Sequence, residues 1–216
     1  MSGGVSAIVL AGGRASRFGG PKLAAPVAGV PLLHRSILAV VAAAVDEVVV
    51  VARPGDTPDL PSAPVPQRVI HDPEPDAGPL VGVATGLQVA AGERALVVGG
   101  DMPRLHPTVL GEMLRELGAA GAAAVVLAAQ PSPERERPPR QSLPMAVHTA
   151  TALVAAEAAV ASGRRSLQAL LDALAVVEIP TMEWLRLDPS GGTLDDVDEP
   201  ADVERLDGAS IEPPAT

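Results

Sequence analysis

The sequence predicts an α/β fold of three layers, in which helices cover both faces of a mainly parallel sheet. Short runs rich in Val recur along the chain, and longer segments rich in Ala and Leu separate them. Strands that are buried on both faces form continuous apolar runs, and their alternation with helices is typical of parallel sheets. A length of 216 residues suits one domain with a sizeable core.

Short apolar runs rich in β-branched residues are predicted as strands. In chain order they are residues 5–10, 47–52, 67–70, 94–98, 122–128, 143–147 and 175–179. Residues 47–52, EVVVVA, contain four consecutive valines. Such a run lacks the alternation of a half-exposed strand, so it indicates a strand inside the sheet.

Longer segments dominated by Ala and Leu are predicted as helices. In chain order they are residues 32–45, 80–91, 107–117, 149–161 and 166–174. Two Pro-rich stretches, 53–66 and 131–141, are predicted as loops, because proline cannot donate a backbone hydrogen bond. The second stretch fits a mobile surface loop, or a loop whose arginines, Arg135, Arg137 and Arg140, contact phosphates.

Composition and charge exclude several classes of protein. A formal net charge of −10 argues against nucleic acid or an anionic membrane as a partner, because both require a basic face. The chain contains no cysteine, which excludes disulfides and thiol catalysis. The first residues lack the pattern of a signal peptide, and no apolar run approaches the roughly 20 residues that span a bilayer. We therefore expect a cytoplasmic protein.

The glycine-rich loop LAGGRASRFGGPK, residues 10–22, directly follows the first predicted strand. Ligands of open α/β sheets bind at the carboxyl ends of the strands. Gly12 and Gly13 let backbone N–H groups approach an anion, and Arg17 and Lys22 add the positive charge that phosphates need. The spacing fits neither a Walker A loop nor a dinucleotide fingerprint. The loop therefore predicts a phosphate site of another type, with a plain glycine-rich connection as the alternative.

Five segments together resemble the nucleotidyltransferases that cleave an NTP between its α and β phosphates. More closely, the chain resembles the molybdenum cofactor guanylyltransferase (MobA-like) branch. After the first loop, the segments are DPEPDAGPLVG at 72–82, GDMP at 100–103, QSLPMAVH at 141–148 and DVDEPAD at 196–202. The resemblance implies a single-domain, Rossmann-like nucleotidyltransferase fold with a mainly parallel, mixed sheet over residues 1–208. It leaves residues 209–216 as a disordered tail.

The resemblance also implies roles for individual residues. The implied catalytic residues are Arg17, Lys22 and Asp101. The implied nucleotide-binding residues are Leu10, Ala11, Gly12, Gly13, Lys22, Asp72, Gly78, Pro79, Leu80 and Gly82. Asp101 and Asp198 would hold Mg²⁺, the expected cofactor, with GTP as substrate. Each acid also has a structural alternative: Asp101 as a cap near Pro107, Asp198 at the start of a helix, and Asp72 as an ordinary loop acid.

The implied reaction moves GMP from GTP to the phosphate of molybdopterin and releases pyrophosphate. The attacking phosphate is already ionised at neutral pH, so the chemistry requires positioning and charge neutralisation rather than a general base. Mg²⁺ together with Lys and Arg side chains supplies both. The expected partners are therefore a nucleoside triphosphate and a phosphorylated acceptor. A protein that delivers the cofactor is a further expectation.

The sequence differs from the family pattern at three places. Pro21 replaces an Asp before the loop lysine, Arg53 stands where guanylyl members carry Asn, and two acids at 196 and 198 replace asparagines. Cytidylyl- and sugar-nucleotidyltransferases share the Gly-x-Pro-Lys pattern, so CTP or another phosphorylated acceptor remains an alternative. A nucleotide-binding regulatory protein without turnover is the alternative of another class. Asp72 favours guanine, because a carboxylate can accept from its N1–H and N2–H₂ groups.

Overall fold

The structure is a computed structural model that describes residues 3–12, 18, 21–119, 121–129 and 140–208. The strands are β1 (Val5–Leu10), β2 (Pro26–Val27), β3 (Val30–Pro31), β4 (Glu47–Ala52), β5 (Gln67–His71), β6 (Arg94–Gly99), β7 (Ala124–Leu127), β8 (Met145–His148) and β9 (Val176–Ile179). The helices are α1 (Leu32–Ala42), α2 (Pro79–Val89), α3 (Pro107–Ala119), α4 (Thr149–Ala161), α5 (Leu167–Leu171), α6 (Thr181–Leu187) and α7 (Pro200–Gly208).

Seven of the described strands form one sheet in the order β5-β4-β1-β6-β8-β7-β9. Every neighbouring pair is parallel except the two that include β8, which runs antiparallel to both β6 and β7. The mainly parallel, mixed sheet is therefore confirmed. Because β1, β4, β5 and β6 run in the same direction, the loops that follow them meet at one edge of the sheet.

Two apolar cores lie on opposite faces of the sheet and confirm the three-layer arrangement. One face packs against α1, α3 and α6, and the other packs against α2, α4 and α5. Successive residues of β1 divide between them, since Ala7 and Val9 belong to the first core and Ile8 to the second. This alternation explains why the strand is apolar along its whole length.

Two predicted helices end early. The helix predicted over 32–45 ends at Ala42, because Ala44 adopts a positive φ of 61° before the chain enters β4. The helix predicted over 166–174 spans only Leu167–Leu171, after which i→i−3 hydrogen bonds tighten the chain into a turn. The other predicted elements agree with the structure within two residues at each end.

A small third cluster packs the last described helix against the β2–β3 hairpin and the start of α1. Val27 and Leu32, at the β2–β3 hairpin, pack against Val197 and Leu206, before and within α7. The sequence analysis predicts neither the hairpin nor α6, because elements this short carry too little periodicity. It does expect a helix to begin just after Asp198, where α7 begins at Pro200. This contact brings the acidic segment near residue 198 to the loop that contains Lys22. In the described ranges, the helices are too short or too polar to cross a bilayer.

Candidate active site

A cavity of about 450 Å³ lies at the carboxyl ends of β1, β4, β5 and β6. Nine residues predicted for the site line it: Leu10, Gly12, Lys22, Asp72, Gly78, Pro79, Gly82, Asp101 and Asp198. They come from four separate segments of the chain, within residues 10–22, 72–82, 100–103 and 196–202. The sheet topology brings most of these residues together. The segments that contain Lys22, Asp72 and Asp101 follow β1, β5 and β6, whose carboxyl ends lie at the same edge of the sheet, and the segment after β5 leads into helix α2.

The remaining predicted residues either lie elsewhere or fall outside the described part of the chain. Ala11 lines an adjoining cavity of about 550 Å³, which shares Lys22 and Leu23 with the first. The side chain of Leu80 is fully buried in the core beneath α2. Gly13 and Arg17 lie outside the described residues, as do Arg135 and Arg137. Arg140 is described, and its Nε donates to Glu178 Oε1 at 2.7 Å.

Lys22 joins two carboxylates at one end of the cavity. Its Nζ donates to Asp101 Oδ2 at 2.8 Å and to Asp198 Oδ1 at 3.3 Å. Burial alone would lower the pKa of Lys22, but the hydrogen bonds and negative charges of Asp101 and Asp198 outweigh it and raise that pKa. The ammonium is therefore charged, and 12% of the side chain is exposed to solvent. Lys22 is also the only lysine in the chain, against 15 arginines.

Two buried side chains of α1 hold the turn that carries Asp101. Arg35 Nε donates to the carbonyl of Pro103 at 3.0 Å, and Ser36 Oγ donates to the carbonyl of Met102 at 3.1 Å. A Cβ on Gly99 would lie 2.5 Å from Asp101 Oδ1, so a larger residue at the end of β6 would displace the Asp101 carboxylate. The sequence analysis misses Arg35 and Ser36, because their positions in a helix carry no signal of a contact with a distant turn.

The structure shows which of two acids near the start of α7 contacts Lys22. The backbone N–H groups of Asp198 and Glu199 both donate to Asp202 Oδ2 at 2.9 Å, and these bonds lower the pKa of Asp202. Asp202 therefore caps the start of α7, and the carboxylate of Asp198 is directed to Lys22 instead. Asp101 likewise pairs with Lys22 rather than capping the helix that starts at Pro107.

Asp101 and Asp198 are carboxylates of the kind that would hold a magnesium ion if a ligand's phosphates completed its shell. In the described ranges, no group of three or more His, Cys, Asp or Glu side chains is arranged to enclose a metal. Mg²⁺ in phosphate chemistry needs only one or two carboxylates, because water and phosphate oxygens complete its shell. Asp101 and Asp198 already face a common positive charge. Partial desolvation and then the charges of Asp198 and Asp101 raise the pKa of Asp196.

Asp72 dominates the other end of the cavity. Its Oδ1 is buried and makes no hydrogen bond within the described part of the chain. Burial raises the pKa of this carboxyl group. Two glycines give it room, since a Cβ on Gly12 would lie 2.9 Å from Asp72 Oδ2 and one on Gly82 would lie 3.3 Å from Oδ1. An unpaired acceptor that lines a cavity is suited to a ligand with N–H donors.

Comparison with known proteins identifies close relatives. A family model described as "MobA-like NTP transferase domain" matches residues 7–180. A probable molybdenum cofactor guanylyltransferase of Chloroflexus aggregans is 32% identical over 93% of this chain and 92% of its own length. One from Natronomonas pharaonis is 34% identical over 92% of this chain and 94% of its own.

Solved structures agree on the fold. Molybdopterin-guanine dinucleotide biosynthesis protein A from Archaeoglobus fulgidus superimposes with a TM-score of 0.74 at 21% identity, covering 94% of this chain and 97% of that one. A 2-C-methyl-D-erythritol 4-phosphate cytidylyltransferase from Thermus thermophilus gives 0.65 at 20% identity, with 93% and 96% covered. At these identities the likeness establishes a Rossmann-like nucleotidyltransferase fold.

Proposed function

The chain belongs to the MobA-like NTP transferase family and is a nucleotidyltransferase, and from this premise we propose that it transfers GMP from GTP to the phosphate of molybdopterin. An oxygen of the acceptor phosphate forms a bond to the α-phosphorus of GTP. The bond between the α- and β-phosphates breaks, and pyrophosphate leaves. The names and near full-length coverage of the curated relatives support this assignment.

One observation carries the proposal. A single cavity has a bridging ammonium with two carboxylates at one end, and at the other end the carboxylate of Asp72, whose buried Oδ1 makes no hydrogen bond within the described residues. The first end suits the phosphates of a nucleotide, and the second suits a base with N–H donors. Guanine offers N1–H and N2–H₂ on one edge, so both oxygens of Asp72 would accept from it. Cytosine lacks this pair of donors on one edge, which favours GTP.

Lys22 has the chemistry required at the phosphate end. It would bind phosphate oxygens of the NTP and neutralise charge that develops on the leaving pyrophosphate. Mg²⁺, held by Asp101 and Asp198, would add further neutralisation of the phosphate oxygens. The acceptor phosphate is ionised at neutral pH, so no described side chain has to remove a proton. We extend the phosphate-binding role to Gly13 and Arg17 from their places in the glycine-rich loop.

Two expectations from the sequence complete the proposal. Both GTP and a phosphorylated acceptor are cytoplasmic molecules, so we assign the protein to the cytoplasm. A protein that delivers the cofactor remains a prediction.

The test is pyrophosphate release by purified protein with Mg²⁺ and molybdopterin, using GTP, CTP, ATP and UTP in parallel. We expect release with GTP at least tenfold faster than with the other nucleotides. Faster release with CTP would replace the guanylyl assignment by a cytidylyl one and keep the site. Binding of GTP without release, with active acceptor confirmed by a known guanylyltransferase, would instead indicate a regulatory protein.

A further inference from the structure

Arg53 is the first residue after β4, and its side chain contacts the loops on both sides of that strand. Arg53 Nε donates to the carbonyl of Gly12 at 3.1 Å, in the loop after β1. An Nη of the same guanidinium lies 3.7 Å from Asp76 Oδ1, in the loop after β5. Both loops border the cavity described above.

The sheet register explains how one side chain reaches both loops. β4 lies between β1 and β5, so a residue that follows β4 has the other two loops as neighbours. Pairing continues beyond the strands, because Ala11 N–H donates to the carbonyl of Val51 at 2.8 Å and Asp72 N–H donates to that of Ala52 at 3.0 Å. A planar guanidinium carries its Nε and Nη donors on a rigid frame, so Nε can face one loop while an Nη faces the other.

The two loops carry the groups that surround the proposed base site. Gly12 lies close to Asp72, since a Cβ added to Gly12 would lie 2.9 Å from Asp72 Oδ2. Asp76 precedes Gly78, where the backbone turns into α2 with a φ of 95°. A movement of either loop would therefore change the space around Asp72.

The charge of Arg53 is directed to Asp76 and not to Asp72. Asp72 Oδ1 has no hydrogen-bond partner in the described residues, although Arg53 is bonded to Gly12, which borders Asp72. A guanidinium paired with Asp72 would occupy the oxygens that a ligand needs. The ion pair with Asp76 thus holds the Arg53 guanidinium beside the proposed base site and leaves Asp72 Oδ1 available to accept from a ligand.

We propose that Arg53 is a positioning residue for the nucleotide: it ties the Gly12 loop to the Asp76 loop and keeps Asp72 available to the base. This inference rests on the proposed function, because it takes the cavity to be the nucleotide site. Arg53 acts on substrate affinity through the two loops and not on the phosphate chemistry at Lys22.

The test compares Arg53→Ala, Arg53→Lys, Asp76→Ala and the double variant with wild type. The matched control is Arg68→Ala, which removes an arginine that pairs with Glu47 at 2.9 Å near the opposite end of β5. Calorimetry with GTP and Mg²⁺ measures Kd, and pyrophosphate release measures KM and kcat. Hydrogen exchange of the free protein measures the opening of the two loops.

We expect Arg53→Ala to raise Kd and KM for GTP about tenfold with kcat changed by less than about threefold, as loss of one charge-assisted tie would predict. Arg53→Lys restores part of the affinity, and the double variant is less impaired than the sum of the two single variants. Exchange accelerates in both loops of Arg53→Ala, while Arg68→Ala matches wild type in Kd.

Three results would overturn the inference: an unchanged Kd in Arg53→Ala, a loss confined to kcat, or strictly additive effects of Arg53 and Asp76. Its failure is distinguishable from that of the proposed function. If wild type binds GTP and Arg53→Ala binds it equally well, only the role of Arg53 falls. If wild type binds none of the four nucleotides, the proposed function falls and the role of Arg53 falls with it.

Discussion

Replacing Lys22 with methionine is expected to change turnover and metal affinity in opposite directions. Methionine keeps the apolar stem of the side chain and removes the ammonium that lies 2.8 Å from Asp101 and 3.3 Å from Asp198. The phosphate end of the cavity then loses a cation that the substrate needs. In the wild-type protein the ammonium competes with a metal ion for the two carboxylates, and in the variant this competition is lost.

The two magnitudes follow from these contacts. Removing one preorganised donor to a developing phosphate charge costs about 10²–10³ in kcat. A hydrogen bond to a charged group contributes about 1.5–3 kcal/mol, and a divalent cation no longer has to displace it. We therefore expect a metal ion to bind the nucleotide-free Lys22→Met protein about ten- to hundredfold more tightly than wild type.

Electron paramagnetic resonance of Mn²⁺, titrated into nucleotide-free protein, measures the metal affinity, and pyrophosphate release measures turnover. Lys22→Arg is the control, because it keeps the positive charge and should keep the weak metal binding of wild type. Lys22 is the only lysine in the chain, so NMR of protein with labelled lysine gives a single set of side-chain signals. A change in these signals on addition of the metal reports displacement of the ammonium from the two carboxylates. Equal or weaker Mn²⁺ binding by Lys22→Met would refute the competition between the ammonium and the metal.

Three further predictions concern other parts of the site. Asp101→Asn should lower turnover by roughly 100-fold or more with little change in Tm. Chelation of Mg²⁺ should stop the turnover of the wild-type protein reversibly. A fully active Asp101→Asn protein would remove this carboxylate from the mechanism. Burial raises the pKa of Asp72 in the folded protein above its value in the unfolded chain. Between these two pKa values the folded state binds more protons than the unfolded state, so the free energy of unfolding falls as the pH rises through that window. Asp72→Asn should therefore raise stability to urea at neutral pH and yet weaken GTP binding, and a loss of both would contradict this account. Gly78→Ala should cost about 1–3 kcal/mol in urea unfolding, because φ is 95° and the Cβ would lie 2.8 Å from that of Arg165. The control Gly111→Ala, within α3 and with no atom within 4 Å of its Cβ, should be neutral or stabilising.

Sequence patterns predict most of the fold because most of it is made of repeated, strongly apolar elements. The run EVVVVA has one stable environment, a strand covered on both faces, and the structure buries five of its six residues. The direction of β8 is different. Its residues MAVH are as apolar as those of a parallel strand, so only pairing with β6 and β7 shows that it runs antiparallel.

The motifs of the sequence identify Lys22, Asp72, Asp101 and Asp198 as residues for one site, and the tertiary structure brings all four to one cavity. This succeeds because the first three follow strands of one parallel sheet, whose carboxyl ends share an edge. Their catalytic and binding roles remain predictions that the variants above test.

The sequence alone determined the layers of the fold, the place of the glycine-rich loop and the charge of the residues around it. These are local properties, set by composition and spacing over a few residues. Only the tertiary structure decided which carboxylate caps α7 and which faces Lys22, and that Arg53 joins two loops. Such choices depend on distances between segments far apart in the chain, which no local pattern encodes.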